Sequence, residues 1–253
     1  MRKNLILKQQ KAEALLDRFS EHAAGYKHGV NNPYLKWLLT NPVLTIKQVV
    51  DFLCFWYAIS RHQPQMLLQL MALFPRWSDR KKVYWNWVEE DGMSQGQEPH
   101  YYLLQQLIHK LDNNFKVDKK FVKSDGLFEI NDKYMGDKQA NEIVTKFHDT
   151  LYKKMSPAEV SGLIAAIEQP ALDISAYFNK IVELCQRQDL LKSDLYLLIH
   201  VEVEPDHIVW SHGTAEQYMK NGKKAEVVNS FHNTMRFWNE FWKIAFTKLG
   251  YPG

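Results

Sequence analysis

From Leu5 to Ala24 the apolar residues Leu5, Ala12, Leu15, Leu16, Phe19 and Ala23 recur at spacings of three, four and seven, which predicts one helix with a single buried stripe. The same return of apolar side chains every three to four positions continues along the chain, and no convincing pair of alternating, strand-like segments interrupts it. This periodicity restricts the fold more than any other feature, because such stripes are buried by packing helix on helix. Composition agrees. Only 11 glycines and 9 prolines serve 253 residues, so turns are few, while 8 tryptophans, 12 tyrosines and 13 phenylalanines predict bulky interior packing.

Start and stop signals divide the pattern. Thr45 with Gln48 reads as a capping box opening a helix through Val49, Val50, Leu53, Trp56 and Tyr57, broken or kinked at Pro64 and continued from Leu67 to Phe74. Ser78 and Asp79 begin another, ending near Asp91-Gly92, and an amphipathic helix follows from about His100 to Leu111. Residues 112–134 read as a loop excursion, and a helix spans roughly Lys138 to Lys153. Ser156-Pro157-Ala158-Glu159 joins an N-cap serine, a first-turn proline and a capping-box glutamate; its helix should run past Glu168 to Arg187, kinked at Pro170. Helices over Leu190–Glu204, Asp206–Asn221 and Lys224–Leu249 complete the reading. The expectation is one all-α domain over residues 1–253.

Charge and cysteine content exclude several functions. With 32 Lys+Arg against 29 Asp+Glu the net charge is only +3, too small for nucleic-acid binding built on basicity. The longest apolar stretch, Phe52 to Ile59, is far short of a membrane span. Met1 to Lys8 holds three apolar residues before the next charge, too few for a signal peptide. Cys54 and Cys185 form no paired metal-binding spacing, so a reduced, cytoplasmic setting is expected.

The sharpest local feature is His200-Val201-Glu202-Val203-Glu204-Pro205-Asp206-His207. At about 100° per helical residue, Glu204 lies about 40° and His207 about 20° from His200, so two imidazoles and a carboxylate share one face. Such a set suits a transition metal, and with open positions it resembles non-heme iron sites. Alternatively His200 is a core histidine and the acids are solvated. Glu168 interrupts the apolar run Leu163–Ile167 and precedes Gln169-Pro170-Ala171-Leu172, so its carboxylate faces burial and needs a metal, a basic partner or a raised pKa. Asn86-Trp87-Val88-Glu89-Glu90-Asp91-Gly92 followed by Pro99-His100 brings a Glu and a His to one helix–turn–helix, although acids at helix ends are common without function.

Taken in order, Glu90 with His100 ten residues on, then Glu168, then His200, Glu204 and His207 resemble the diiron oxidases of the heme-oxygenase-like superfamily, all-α bundles of about seven helices. The Asn86…Glu89-Glu90-Asp91-Gly92 stretch is similar to a turn of that superfamily, and the resemblance spans roughly residues 45–220. It implies that Glu90, His100, Glu168, His200, Glu204 and His207 hold two iron ions, and that the protein is an O₂-dependent oxidase or oxygenase. The implied partners are O₂ and a small carboxylate-bearing substrate, an amino acid or fatty acid, with C–C or C–N cleavage or N-oxygenation as the reaction. A second copy of the chain is a further candidate partner. Departures from the pattern leave choices open: Pro205 removes a backbone hydrogen bond within the last motif, so Asp206 could replace Glu204, and Glu89 could replace Glu90. His212 is expected to lie behind the site or at the surface, and Tyr34, Trp56, Tyr57, Arg61 and His62 either line a pocket or belong to the core. Alternatives within the resemblance are a metal-free thiaminase-like enzyme using Cys54 or Cys185, a cofactorless oxidase, a heme protein ligated by His22, and a non-catalytic interaction domain.

Overall fold

Thr45 caps the helix that follows it by accepting from Gln48 N at 3.2 Å while Gln48 Oε1 accepts from Thr45 N at 3.0 Å, and Ser156 and Glu159 repeat the device at 3.2 and 2.6 Å. Both boxes open helices where the sequence places them. In a computed structural model, which describes residues 2–22, 33–40, 45–93, 98–112, 138–150, 155–187 and 194–248, every regular element is helical. The order is α1 (Arg2–Ser20), α2 (Pro33–Thr40), α3 (Ile46–Ser60), α4 (Gln63–Leu73), α5 (Trp77–Glu90), α6 (His100–Leu111), α7 (Lys138–Thr150), α8 (Pro157–Ile167), α9 (Ala171–Arg187), α10 (Leu195–Tyr218) and α11 (Lys224–Lys248), with a wide turn over Met219–Lys223 between the last two. No helix among the described residues is long and apolar enough to cross a membrane. The expected excursion at 112–134 lies, except for Asp112, outside the described residues.

The centre of the bundle is α8. Ala158, Val160, Leu163, Ile164, Ala165 and Ala166 are all buried, which is the all-round apolar helix its sequence describes. It packs most extensively on α11, and Gly162 is the reason the two approach so closely: a Cβ there would lie 2.2 Å from the Val227 carbonyl oxygen. Around this pair the aromatic residues form one core, with Trp56 of α3 stacked on Trp238 and Trp242 of α11 at centroid distances of 6.1 and 6.2 Å. The stripe of α1 is buried through Ala12, Leu15, Leu16 and Phe19. Lys8–Asp206 and Arg18–Glu216, each at 2.6 Å, advance together along α1 and α10, so those helices run parallel.

Two segmentations differ from expectation. The helix from Pro157 does not continue with a kink but ends at Glu168, and α9 starts anew at Ala171. Pro170 has no N–H to continue the ladder, and Ala171 N instead turns back to Glu168 O at 3.1 Å. Conversely, α10 runs through Pro205 as one helix of 24 residues. Its packing against α1, α8 and α9 holds it in line where the local proline cost alone argues for a break.

Candidate metal centre

Four segments converge on one buried place. The last turn of α5 carries Glu89 and Glu90, and Gly92, at φ 76°, reverses the chain in a conformation that disfavours any residue with a Cβ. That reversal lets α6 start with His100 beside the acid it has just left: Glu90 Oε2 and His100 Nδ1 are 3.1 Å apart. Glu168 ends α8 as its C-cap, and α10 contributes His200, Glu204 and His207. None of these six side chains belongs to a residue more than 8% exposed.

The six sort into two groups. Glu90, His100 and His200 offer ligand atoms within 4.8 Å of one another, and Glu168, Glu204 and His207 do the same. All six residues singled out from the sequence are therefore brought together, and the shared face of α10 feeds both groups. The first is a two-histidine, one-carboxylate set and the second a one-histidine, two-carboxylate set, both with too few residues to fill the sphere of a six-coordinate metal ion with one donor each.

The proposed substitutes take other places. Asp206 turns to the surface and pairs with Lys8, which leaves Glu204 as the inward carboxylate. Glu89 does not replace Glu90 but meets His207, its Oε2 lying 2.7 Å from Nε2. His212 is not at the surface: it is buried, its Nε2 donates at 2.8 Å to Oε1 of Gln169, the residue next to Glu168, and burial pushes its pKa down to about 3. Asn86 Nδ2 donates to Glu168 Oε1 at 3.1 Å, and Gln63 Nε2 to Glu90 Oε1 at 3.2 Å. Asn86 carries a signal in the turn motif that contains it. Gln63, beside Pro64 on a different helix from Glu90, carries none.

The electrostatics are those of acids and imidazoles buried together. Burial raises the Glu168 carboxyl to about 8, with the neighbouring Glu204 and Glu90 adding to the rise and His207 opposing it. Burial acts on Glu90 too, but His100, His200 and His207 outweigh it and bring that carboxyl down to about 2. His200 is lowered by burial and by His100, which keeps its ring neutral. Burial also disfavours the His207 cation, yet Glu204, Glu89 and Glu168 hold its pKa well above the ordinary value. Positive charge is wanted at this spot.

These residues fit a pair of metal ions. His200 Nδ1 is held by the Tyr196 carbonyl at 2.7 Å, which directs the proton to Nδ1 and the lone pair of Nε2 outward. His207 Nδ1 is buried with no hydrogen-bond partner, while its Nε2 is oriented by Glu89 in the carboxylate–histidine arrangement that commonly backs a metal ligand. A cavity of about 410 Å³ opens against Glu168, His200 and Glu204, with Trp56, Ser60, Ile174 and Trp238 among its other walls. Of the expected pocket residues, Trp56 lines this cavity, Tyr57 bonds Gln105 within the core, His62 lines a neighbouring cavity and Arg61 bonds His62; the Tyr34 side chain lies outside the described residues. Compared with known proteins, the chain matches no family model and no curated protein.

Proposed function

We propose that this protein is a non-heme diiron oxidase or oxygenase of the heme-oxygenase-like type, using O₂ to oxidise a small carboxylate-bearing molecule. The observation that carries the reading is the division of six buried residues from four segments into two three-residue groups of mixed nitrogen and oxygen donors. Glu90, His100 and His200 would hold one iron, and Glu168, Glu204 and His207 the other. Bound ferrous iron would supply the electrons and the open positions that O₂ reduction requires.

The chain supplies the rest. Trp56, Ile174 and Trp238 wall the cavity beside the site and exclude bulk water from it. Asn86 Nδ2 fixes one Glu168 oxygen, which orients this carboxylate at the cavity wall. Glu89 and the Tyr196 carbonyl hold the His207 and His200 rings in orientation. Free thiols at Cys54 and Cys185 suit a reducing, cytoplasmic setting. The thiaminase-like alternative is disfavoured because burial pushes the Cys54 thiol up to about 12, opposite to the shift a nucleophile needs.

The test is O₂ uptake by the anaerobically iron-loaded protein, measured against free ferrous iron, with a panel of free amino acids and straight-chain carboxylic acids. One class of acid should accelerate uptake and yield an oxidised product by mass spectrometry. Uptake no faster than free iron with every acid, or unchanged in His200→Ala, contradicts the proposal.

A further inference from the structure

His62 stands between α3 and α4, next to Arg61, and its Nε2 accepts a hydrogen bond from Arg61 Nε at 3.2 Å. A guanidinium has donors only, so Nε2 is the unprotonated nitrogen. Burial, reinforced by Arg61 and His148, pushes the imidazole down to about 4, so near neutral pH the ring is uncharged and its single proton sits on Nδ1. That Nδ1–H is buried and has no hydrogen-bond partner. Buried donors without acceptors are rare in folded proteins, and this one belongs to a side chain that lines an internal space.

The space is a cavity of about 330 Å³, lined by His62 and His148 and otherwise mostly apolar, with Met66, Val144, Phe147 and Phe237 among its walls. It shares Ile59, Gln63, Ile167 and Trp238 with the chamber beside Glu168, His200 and Glu204, so the two spaces abut. The apolar walls suit a hydrocarbon body. Arg61, itself buried and permanently charged, polarises the His62 N–H toward an anion rather than a neutral carbonyl.

We propose that this second cavity binds the carboxylate end of an apolar acid, with His62 Nδ1–H donating to a carboxylate oxygen and Arg61 fixing the tautomer that makes the donor available. The inference rests on reading the adjoining chamber as the substrate site, and it gives that site a specificity-determining residue away from the metal ligands.

The test uses the full-length chain stripped of metal by chelator, titrated calorimetrically with octanoate and with octanamide, its uncharged counterpart. Octanoate should bind about tenfold or more tighter than octanamide. In His62→Leu that preference should fall below about threefold, and His62→Asn, which keeps an N–H near the Nδ1 position, should retain most of it. In the ¹⁵N-histidine-labelled wild type, His62 should show the Nδ1–H tautomer, and octanoate should shift that nitrogen; this readout requires no variant to fold. Equal binding of the two probes, a preference that survives in a folded His62→Leu, or an Nε2–H tautomer overturns the proposal. Iron is absent throughout, so a failure here leaves the iron reading standing, and a protein that binds no iron can still pass this test.

Discussion

Glu89 Oε2 lies 2.7 Å from His207 Nε2, yet Glu89 belongs to neither group of candidate ligands. It orients the imidazole, leaving Nδ1 as the nitrogen without a hydrogen-bond partner. Glu89→Ala should therefore lower iron affinity by about 10- to 100-fold while leaving the stoichiometry at saturating iron unchanged. Competition with a chelator of known affinity measures the first, and metal analysis the second.

Gly162→Ala should destabilise the fold even though alanine is the better helix former. The added Cβ meets the backbone oxygen of Val227 at 2.2 Å, and a backbone neighbour of a central helix has little freedom to move. The helix-propensity gain of about 1 kcal/mol is smaller than an overpacking cost of about 1–3 kcal/mol plus the displacement of α11 from α8. Urea unfolding of the variant should show a lower midpoint; an unchanged or higher one contradicts the close packing of these helices.

Stability should fall as the pH is lowered below about 6.5. His212 titrates near its ordinary value when unfolded but is pushed down to about 3 in the fold, and His62 is pushed down to about 4. Between those limits each of these two histidines holds its extra proton in the unfolded chain and not in the fold, so its stabilisation is complete above the unfolded value and is lost as pH falls toward the folded one. The His212 contribution is on the order of a few kcal/mol. His212→Gln, which keeps a donor toward Gln169, should flatten the decline in unfolding midpoint between pH 7 and pH 4; an identical slope in the variant contradicts this role.

Much of the architecture is legible locally because its signals are local. The Thr45 and Ser156 capping boxes and the bounds of α6 depend on neighbouring residues, and the structure has them where the sequence does. At the prolines the local signal is ambiguous. Pro170 ends a helix that its apolar neighbours suggest continuing, and Pro205 fails to end one, because packing decides between a kink, a break and an unbroken run. The six candidate ligands are recognisable because residue type and order survive without knowledge of distance. Their partners are not. Gln63 reaches Glu90 across 27 residues and Glu89 reaches His207 across 118, contacts that exist only once α4, α5 and α10 are packed.

Counting iron tests the central claim most directly. Reconstituted anaerobically with ferrous iron and freed of excess, the wild-type chain should retain two irons, while His200→Ala and Glu168→Ala, each of which removes a ligand from a different group, should each retain about one or fewer with the fold intact by circular dichroism. No retained iron in the wild type, or a count that neither substitution changes, contradicts the assignment of these six residues to a pair of metal ions.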